Sequence, residues 1–305
     1  MIPFLQKLFR GEPSPSRAAA GSATAAAVKP KPYVLLMSGR CGSSMLMAYL
    51  NQFEDVICYP ELFFERSDEY QKIFLQALVK GEEKTLIDEK SSIGYNGTSP
   101  FAKDPDKLSA VGLKVKYGDI VDLPAFKQFA LENRLTVLYM SRTNILRAAL
   151  SRYRAMKLHE RHGDYNMTSQ QQAIGALHMD LVEFLPWVEQ EEKYFHDLND
   201  IVGNFGMRVP GVLYENVIND VPGQMNYILE ILGSRFRMRY EYDRRRALPS
   251  IYELETRNFV KHLEQRVLKM TDDDFSKVIC NHAEFEDFFR QSKYAEFLSP
   301  EFEAF

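Results

Sequence analysis

The sequence predicts an α/β protein in which a mostly parallel sheet carries helices on both faces. Short, wholly apolar runs, residues 33–37 (YVLLM) and 135–140 (LTVLYM), have the character of strands buried on both sides. Stretches with helical spacing follow them, so the two patterns alternate along the chain. A turn of small residues, 38–44, joins the first strand to its helix.

Each element can be justified in order. After the strand at 33–37, apolar residues from Met45 onward fall at Leu46, Tyr49, Leu50 and Phe53, a helical rhythm. Residues 111–115 read as a short strand. Pro124 opens a helix at a favoured early position, with Phe126, Phe129 and Ala130 on one face. The strand at 135–140 runs straight into a helix over 144–157. Thr168 and Gln171 form a capping box ahead of a long helix that aligns Ile174, Leu177, Leu181, Phe184 and Val188. Residues 209–214 read as a further strand. Asp220 caps a helix that gathers Met225, Ile228, Leu229 and Leu232 and stops at Gly233. The C-terminal third is helical and charged and packs around the same core.

Domain organisation is simple. Residues 1–32 form a disordered leader, rich in Ala, Ser, Gly and Pro from position 11 onward, and residues 33–305 form a single domain. Residues 1–10 (MIPFLQKLFR) are amphipathic and basic and can make weak contact with a membrane surface. No run approaches the roughly 20 apolar residues that span a bilayer, so no transmembrane segment is expected. Net charge is −4, which argues against nucleic acid as a partner. Basic character is local, at Arg142, Arg147, Arg152, Arg154 and Lys157. Cys41, Cys58 and Cys280 make no disulfide framework and fit a reducing, cytoplasmic compartment. His159 and His162 stand together without partner ligands nearby, and no metal is expected.

The turn Ser38-Gly39-Arg40-Cys41-Gly42-Ser43-Ser44 carries the chemistry. Amide groups at a helix start lack intrahelical partners and attract oxyanions. Gly39 and Gly42 let the backbone bend around a phosphate, Ser43 and Ser44 add hydroxyls, and Arg40 adds a fixed, forked cation. The turn lacks the Gly-Lys of a nucleotide-triphosphatase loop, since Ser43 follows Gly42. The expectation is a P-loop-like three-layer sandwich with a nucleotide phosphate site that departs from that pattern.

These residues resemble the PAPS-dependent sulfotransferases, and most closely bacterial carbohydrate sulfotransferases with an S-x-R-[SC]-G-[ST]-[ST]-x-L loop: Ser38, Arg40, Cys41, Gly42, Ser43, Ser44 and Leu46 here. The resemblance implies that this loop holds the 5′-phosphosulfate of the donor, PAPS (3′-phosphoadenosine 5′-phosphosulfate), with Arg40 facing the bridging oxygen. The strand at 135–140 and the helix after it are similar to the family's 3′-phosphate site, which implies Arg142 and Ser151. Family members usually place the Arg eight residues before the Ser; Arg142 is nine before, and Arg147 is the alternative. Tyr214-Glu215 with Leu232-Gly233 resembles the family's "YE…LG" segment, with Glu215 structural. Residues 250–263, including Arg257, resemble a segment that closes over the nucleotide.

The implied reaction is in-line sulfuryl transfer to a hydroxyl of a carbohydrate, glycolipid or other small acceptor, helped by pre-aimed donors at the leaving phosphate. Glu61 is the candidate base, with Glu65 and Glu89 as alternatives. Its neighbours Pro60, Leu62, Phe63 and Phe64 favour a raised pKa. Lys114 and Lys116 share a face of their strand; either one reaches the sulfonate, or both are a solvated strand end. Cys41 is a passive loop member. Residues 152–168 and the long helix after them line the acceptor pocket. Two other readings stay open: a non-catalytic nucleotide or glycan binder on the same fold, and a divergent P-loop kinase.

Overall fold

The computed structural model describes residues 29–81, 103–163, 174–238 and 274–299. Five strands form one sheet: β1 (Lys31–Met37), β2 (Val56–Tyr59), β3 (Ala110–Lys116), β4 (Thr136–Ser141) and β5 (Gly211–Leu213). Their order is β2-β3-β1-β4-β5 and every pairing is parallel. Leu35 of β1 pairs with Lys114 of β3 and with Leu138 of β4, so the three central strands end at one level.

Alternation along β1 explains the layers. Tyr33, Leu35 and Met37 join one core with Leu46 and Leu50 of α1 (Ser43–Leu50) and with residues further along the chain. Val34 and Leu36 join a second core with Phe74 of α2 (Asp68–Lys80) and Phe126 of α3 (Leu123–Glu132). A strand whose successive side chains enter opposite cores must be covered on both faces. A third cluster packs Leu146 and Tyr153 of α4 (Ile145–His162) against Phe184 of α5 (Leu181–Gly203). The same cluster takes in Val278 of α8 (Phe275–Val278) and Phe285 of α9 (His282–Arg290). Between them in the chain lie α6 (Tyr214–Asn219) and α7 (Val221–Leu232), which supply Val217, Met225 and Leu229 to the first core.

Several boundaries differ from the sequence reading. β1 begins at Lys31, which pairs with Ala110, two residues before the expected start. The strand expected over 209–214 is shorter, because Tyr214 opens α6. The long helix starts at Leu181, where the Asp180 side chain accepts from the amides of Val182 and Glu183. Leu177 instead bridges Ile279, and Ile174 and Gly175 lend their carbonyls to Arg154. Helical spacing continued past Asp180 by coincidence of burial. Thr168 and Gln171 lie outside the described residues, as do residues 1–28. β2 was not anticipated: four wholly buried residues show no alternation to read. Among the described residues, no helix is long and apolar enough to cross a membrane.

Topology fixes where a ligand can sit. From β1 the chain turns toward β2, and from β4 it turns toward β5, so the connections diverge between β1 and β4. Open parallel sheets bind ligands in the crevice beyond the strand ends at such a switch point. The turn after β1 and the start of α4 after β4 face each other there.

Candidate functional site

The turn after β1 is shaped by close approaches. Gly42 is the N-cap of α1 with a left-handed φ of 83°, and as a glycine it brings no side chain to cap that helix. A Cβ there would lie 2.5 Å from the Tyr214 ring. Arg40 also has a positive φ, 63°, which a non-glycine residue adopts at a cost of about 1–3 kcal/mol. Gly39 serves a different purpose from the bend expected of it: a Cβ would come 2.9 Å from an Nη of Arg152. The opposite end of α1 is held by the Lys103 ammonium, which donates to the carbonyls of Asn51, Phe53 and Val56 at 2.8, 2.6 and 2.5 Å. Burial pushes this group down to about 7, so the charge that complements the helix dipole is only partial at neutral pH.

Cations gather at the other end. Arg40 Nε donates to Ser151 Oγ at 3.4 Å, joining positions 111 residues apart. Burial, then the charges of Arg152 and Arg142, push the Arg40 guanidinium down to about 10, and it stays cationic at neutral pH. Arg142 is buried, with its guanidinium 4.4 Å from the centre of the Tyr214 ring. Gly42, Tyr214 and Arg142 are therefore stacked in sequence. Arg147 turns elsewhere, 5.6 Å from the Phe275 ring centre in the third cluster. Of the two arginines considered for the 3′-phosphate, Arg142 is the one beside Arg40. Arg257 and Glu89 lie outside the described residues.

Ser43 is buried at the first turn of α1, and Ser44 Oγ accepts from Lys114 Nζ at 3.1 Å. Cys41 is fully buried, and its thiol donates to the Ser38 carbonyl. Burial pushes that thiol up to about 11, so it stays protonated and is no nucleophile at neutral pH. Glu215 is buried and accepts from the amides of Thr143 and Asn144 at 3.0 Å each, closing the start of α4.

Glu61 follows β2 and reaches the same region through Lys114. Its carboxylate pairs with Lys114 at 2.9 Å and with Lys116 at 2.6 Å. The expected upward pKa shift is corrected here. Burial does push the carboxyl up, but the charges and hydrogen bonds of Lys114 and Lys116 outweigh it and hold it below the ordinary glutamate range. The apolar neighbours did not decide the sign, because two lysines from β3 do. Glu65, with a positive φ of 55°, is exposed.

Sequence reasoning missed Glu191. It sits on α5, only 3% exposed, and pairs with Arg152 Nε. Arg152 stacks 4.9 Å from the Tyr194 ring centre and donates to the Gly39 carbonyl at 3.4 Å. A signal existed: Phe184, Val188 and Glu191 share one inward face of the helix, so a charged residue there needs a buried partner. Among the described residues, no group of three His, Cys, Asp or Glu side chains is placed to hold a metal ion.

No family model matches the chain, and no curated protein matches it. Among solved structures it is similar to a sulfotransferase from Alicyclobacillus acidocaldarius, with 18% identity and a TM-score of 0.39 over 78% of this chain and 94% of that one. It is also similar to the sulfotransferase domain from the curacin biosynthetic pathway, with 14% identity and a TM-score of 0.39 over 88% of this chain and 96% of that one. Likeness at that level says nothing about the reaction this chain performs.

Proposed function

We propose that the protein is a PAPS-dependent sulfotransferase that moves the sulfuryl group to a hydroxyl of a carbohydrate, glycolipid or other small acceptor. One observation carries the reading. The turn after β1 and the start of α4, distant in sequence, meet at the switch point and bring Arg40, Arg142 and Ser151 together beside a helix start whose N-cap is a glycine. Guanidiniums, a serine hydroxyl and helix amides are the donor set that phosphate and sulfate esters require.

In this reading Arg40 and the amides of Cys41, Gly42, Ser43 and Ser44 take up the charge that builds on the departing phosphate. Arg142 and Ser151 hold the 3′-phosphate. Glu61 accepts the acceptor's proton: held ionised by Lys114 and Lys116, it is a ready acceptor at neutral pH, though a weak base. Lys114, bridging Glu61 and Ser44, would bring positive charge to the transferring sulfonate. The test is sulfate transfer from labelled PAPS to a panel of hydroxyl acceptors. Transfer by the wild type that is lost in Glu61→Gln, with donor binding kept, supports the whole scheme.

The double clamp on Glu61 favours a second reading, a non-catalytic nucleotide or glycan binder on the same fold. Binding of adenosine 3′,5′-bisphosphate without transfer to any acceptor would select it.

A further inference from the structure

Glu191 poses a physical problem. A buried carboxylate beside an oxyanion site opposes the ligand, yet α5 places one there. Arg152 faces it from α4, Arg142 from the end of β4, Arg40 from the turn after β1 and Tyr117 from the end of β3. On its own helix, Tyr194 stacks on the Arg152 that Glu191 holds. Arg152 is thereby sandwiched between the Tyr194 ring and Gly39, with one Nη on the Gly39 carbonyl.

We infer that Glu191 is the internal counter-anion of this guanidinium cluster, and that an oxyanion bound at the Gly39–Gly42 turn takes over that role while the Glu191 carboxylate takes up a proton. The inference rests on the reading of the turn as an oxyanion site. Three guanidiniums pressed together in a buried place repel one another, and a carboxylate among them relieves that repulsion in the empty protein. An arriving oxyanion supplies the same relief and repels the carboxylate. A neighbouring negative charge favours the neutral acid, which still accepts from Arg152 through its carbonyl oxygen. Burial pushes the Glu191 carboxyl upward despite Arg152, Arg142 and Arg40, which is the direction that proton uptake needs. Glu191 acts through Arg152 and is a positioning residue.

Inorganic sulfate is the suitable probe, because it keeps both charges between about pH 5 and 8 and any proton taken up belongs to the protein. Calorimetric titrations of the full chain are compared for wild type, Glu191→Gln and His196→Gln, the last removing an exposed histidine from the same helix. Wild type and His196→Gln should bind sulfate more tightly as pH falls, with a slope approaching about tenfold per unit at full coupling. Glu191→Gln should flatten that slope and bind sulfate more tightly than wild type at the alkaline end. Equal slopes in wild type and Glu191→Gln overturn the inference. Should Glu191→Gln fail to fold, proton uptake by His196→Gln, measured in buffers of contrasting ionisation enthalpy, decides the matter: uptake supports the inference and its absence overturns it. The sulfotransferase reading fails separately, if sulfate binds with this linkage while adenosine 3′,5′-bisphosphate does not bind.

Discussion

Two turns at the same level of the sheet are built to opposite ends. After β4, the chain supplies its own anion: Glu215 accepts from the amides of Thr143 and Asn144, and the Asn144 side chain accepts from the amide of Arg147. After β1, the neighbouring strand, the N-cap is a glycine with no side chain to offer, and Arg40, Arg142 and Arg152 crowd the entrance. Both turns start a helix whose first amides seek an acceptor. One has been closed from within by a carboxylate; the other is surrounded by cations, with glycines where Tyr214 and Arg152 press in. The contrast teaches that the fold does not by itself make a phosphate site. The two turns differ in charge, a carboxylate at one and guanidiniums at the other.

The largest expected effect breaks the open turn. Arg40→Ala should lower sulfate transfer by about 100-fold or more, the scale of losing one pre-aimed oxyanion donor. Its thermal midpoint without ligand should stay near that of wild type, which differential scanning calorimetry checks. Near-normal turnover would remove Arg40 from the site.

Closing carboxylate and open glycine are compared next. Glu215→Gln should destabilise the fold by about 1.5–3 kcal/mol, because it trades charge-assisted hydrogen bonds for neutral ones. Gly42→Ala should cost about 1–3 kcal/mol from the left-handed backbone alone, and the approach to Tyr214 adds to it. Urea unfolding reads both. Gly42→Ala should also weaken bisphosphate binding, since it displaces the Tyr214 ring on which Arg142 stacks.

The smallest effect concerns Glu61. A carboxyl held below its ordinary range stabilises the fold above its unfolded pKa and loses that contribution as pH falls through the folded value. Glu61→Gln should therefore be somewhat less stable than wild type at about pH 7, and the difference should be smaller at about pH 3, below the ordinary glutamate range. Denaturant unfolding at the two pH values measures this. A difference that grew toward acid would mean that Lys114 and Lys116 do not govern the carboxylate.

Local pattern made much of this legible. The run YVLLM gave β1 because wholly apolar short segments suit a strand covered on both faces. Pro124, Asp220 and Gly233 marked helix ends through chemistry that acts within a few residues, and each stands at a helix end in the structure. The turn was visible as a run of small residues and one arginine between an apolar strand and a helical rhythm. What lay hidden depends on contacts between distant segments. Glu61 sits among apolar neighbours in sequence, but β3 places two lysines on it. Glu191 gains its meaning only when α5 is laid against α4. Arg147 is drawn away from Arg40 because its helix face meets Phe275. Spacing could not settle that, because it says nothing about the neighbouring element.

The central claim is that the turn after β1, joined by Ser151 from α4, holds the phosphates of the donor. Calorimetric titration with adenosine 3′,5′-bisphosphate tests it directly. Wild type should bind, and Arg40→Ala and Ser151→Ala should each bind markedly more weakly while unfolding at the wild-type temperature in the absence of ligand. Unchanged affinity in both variants would contradict the account.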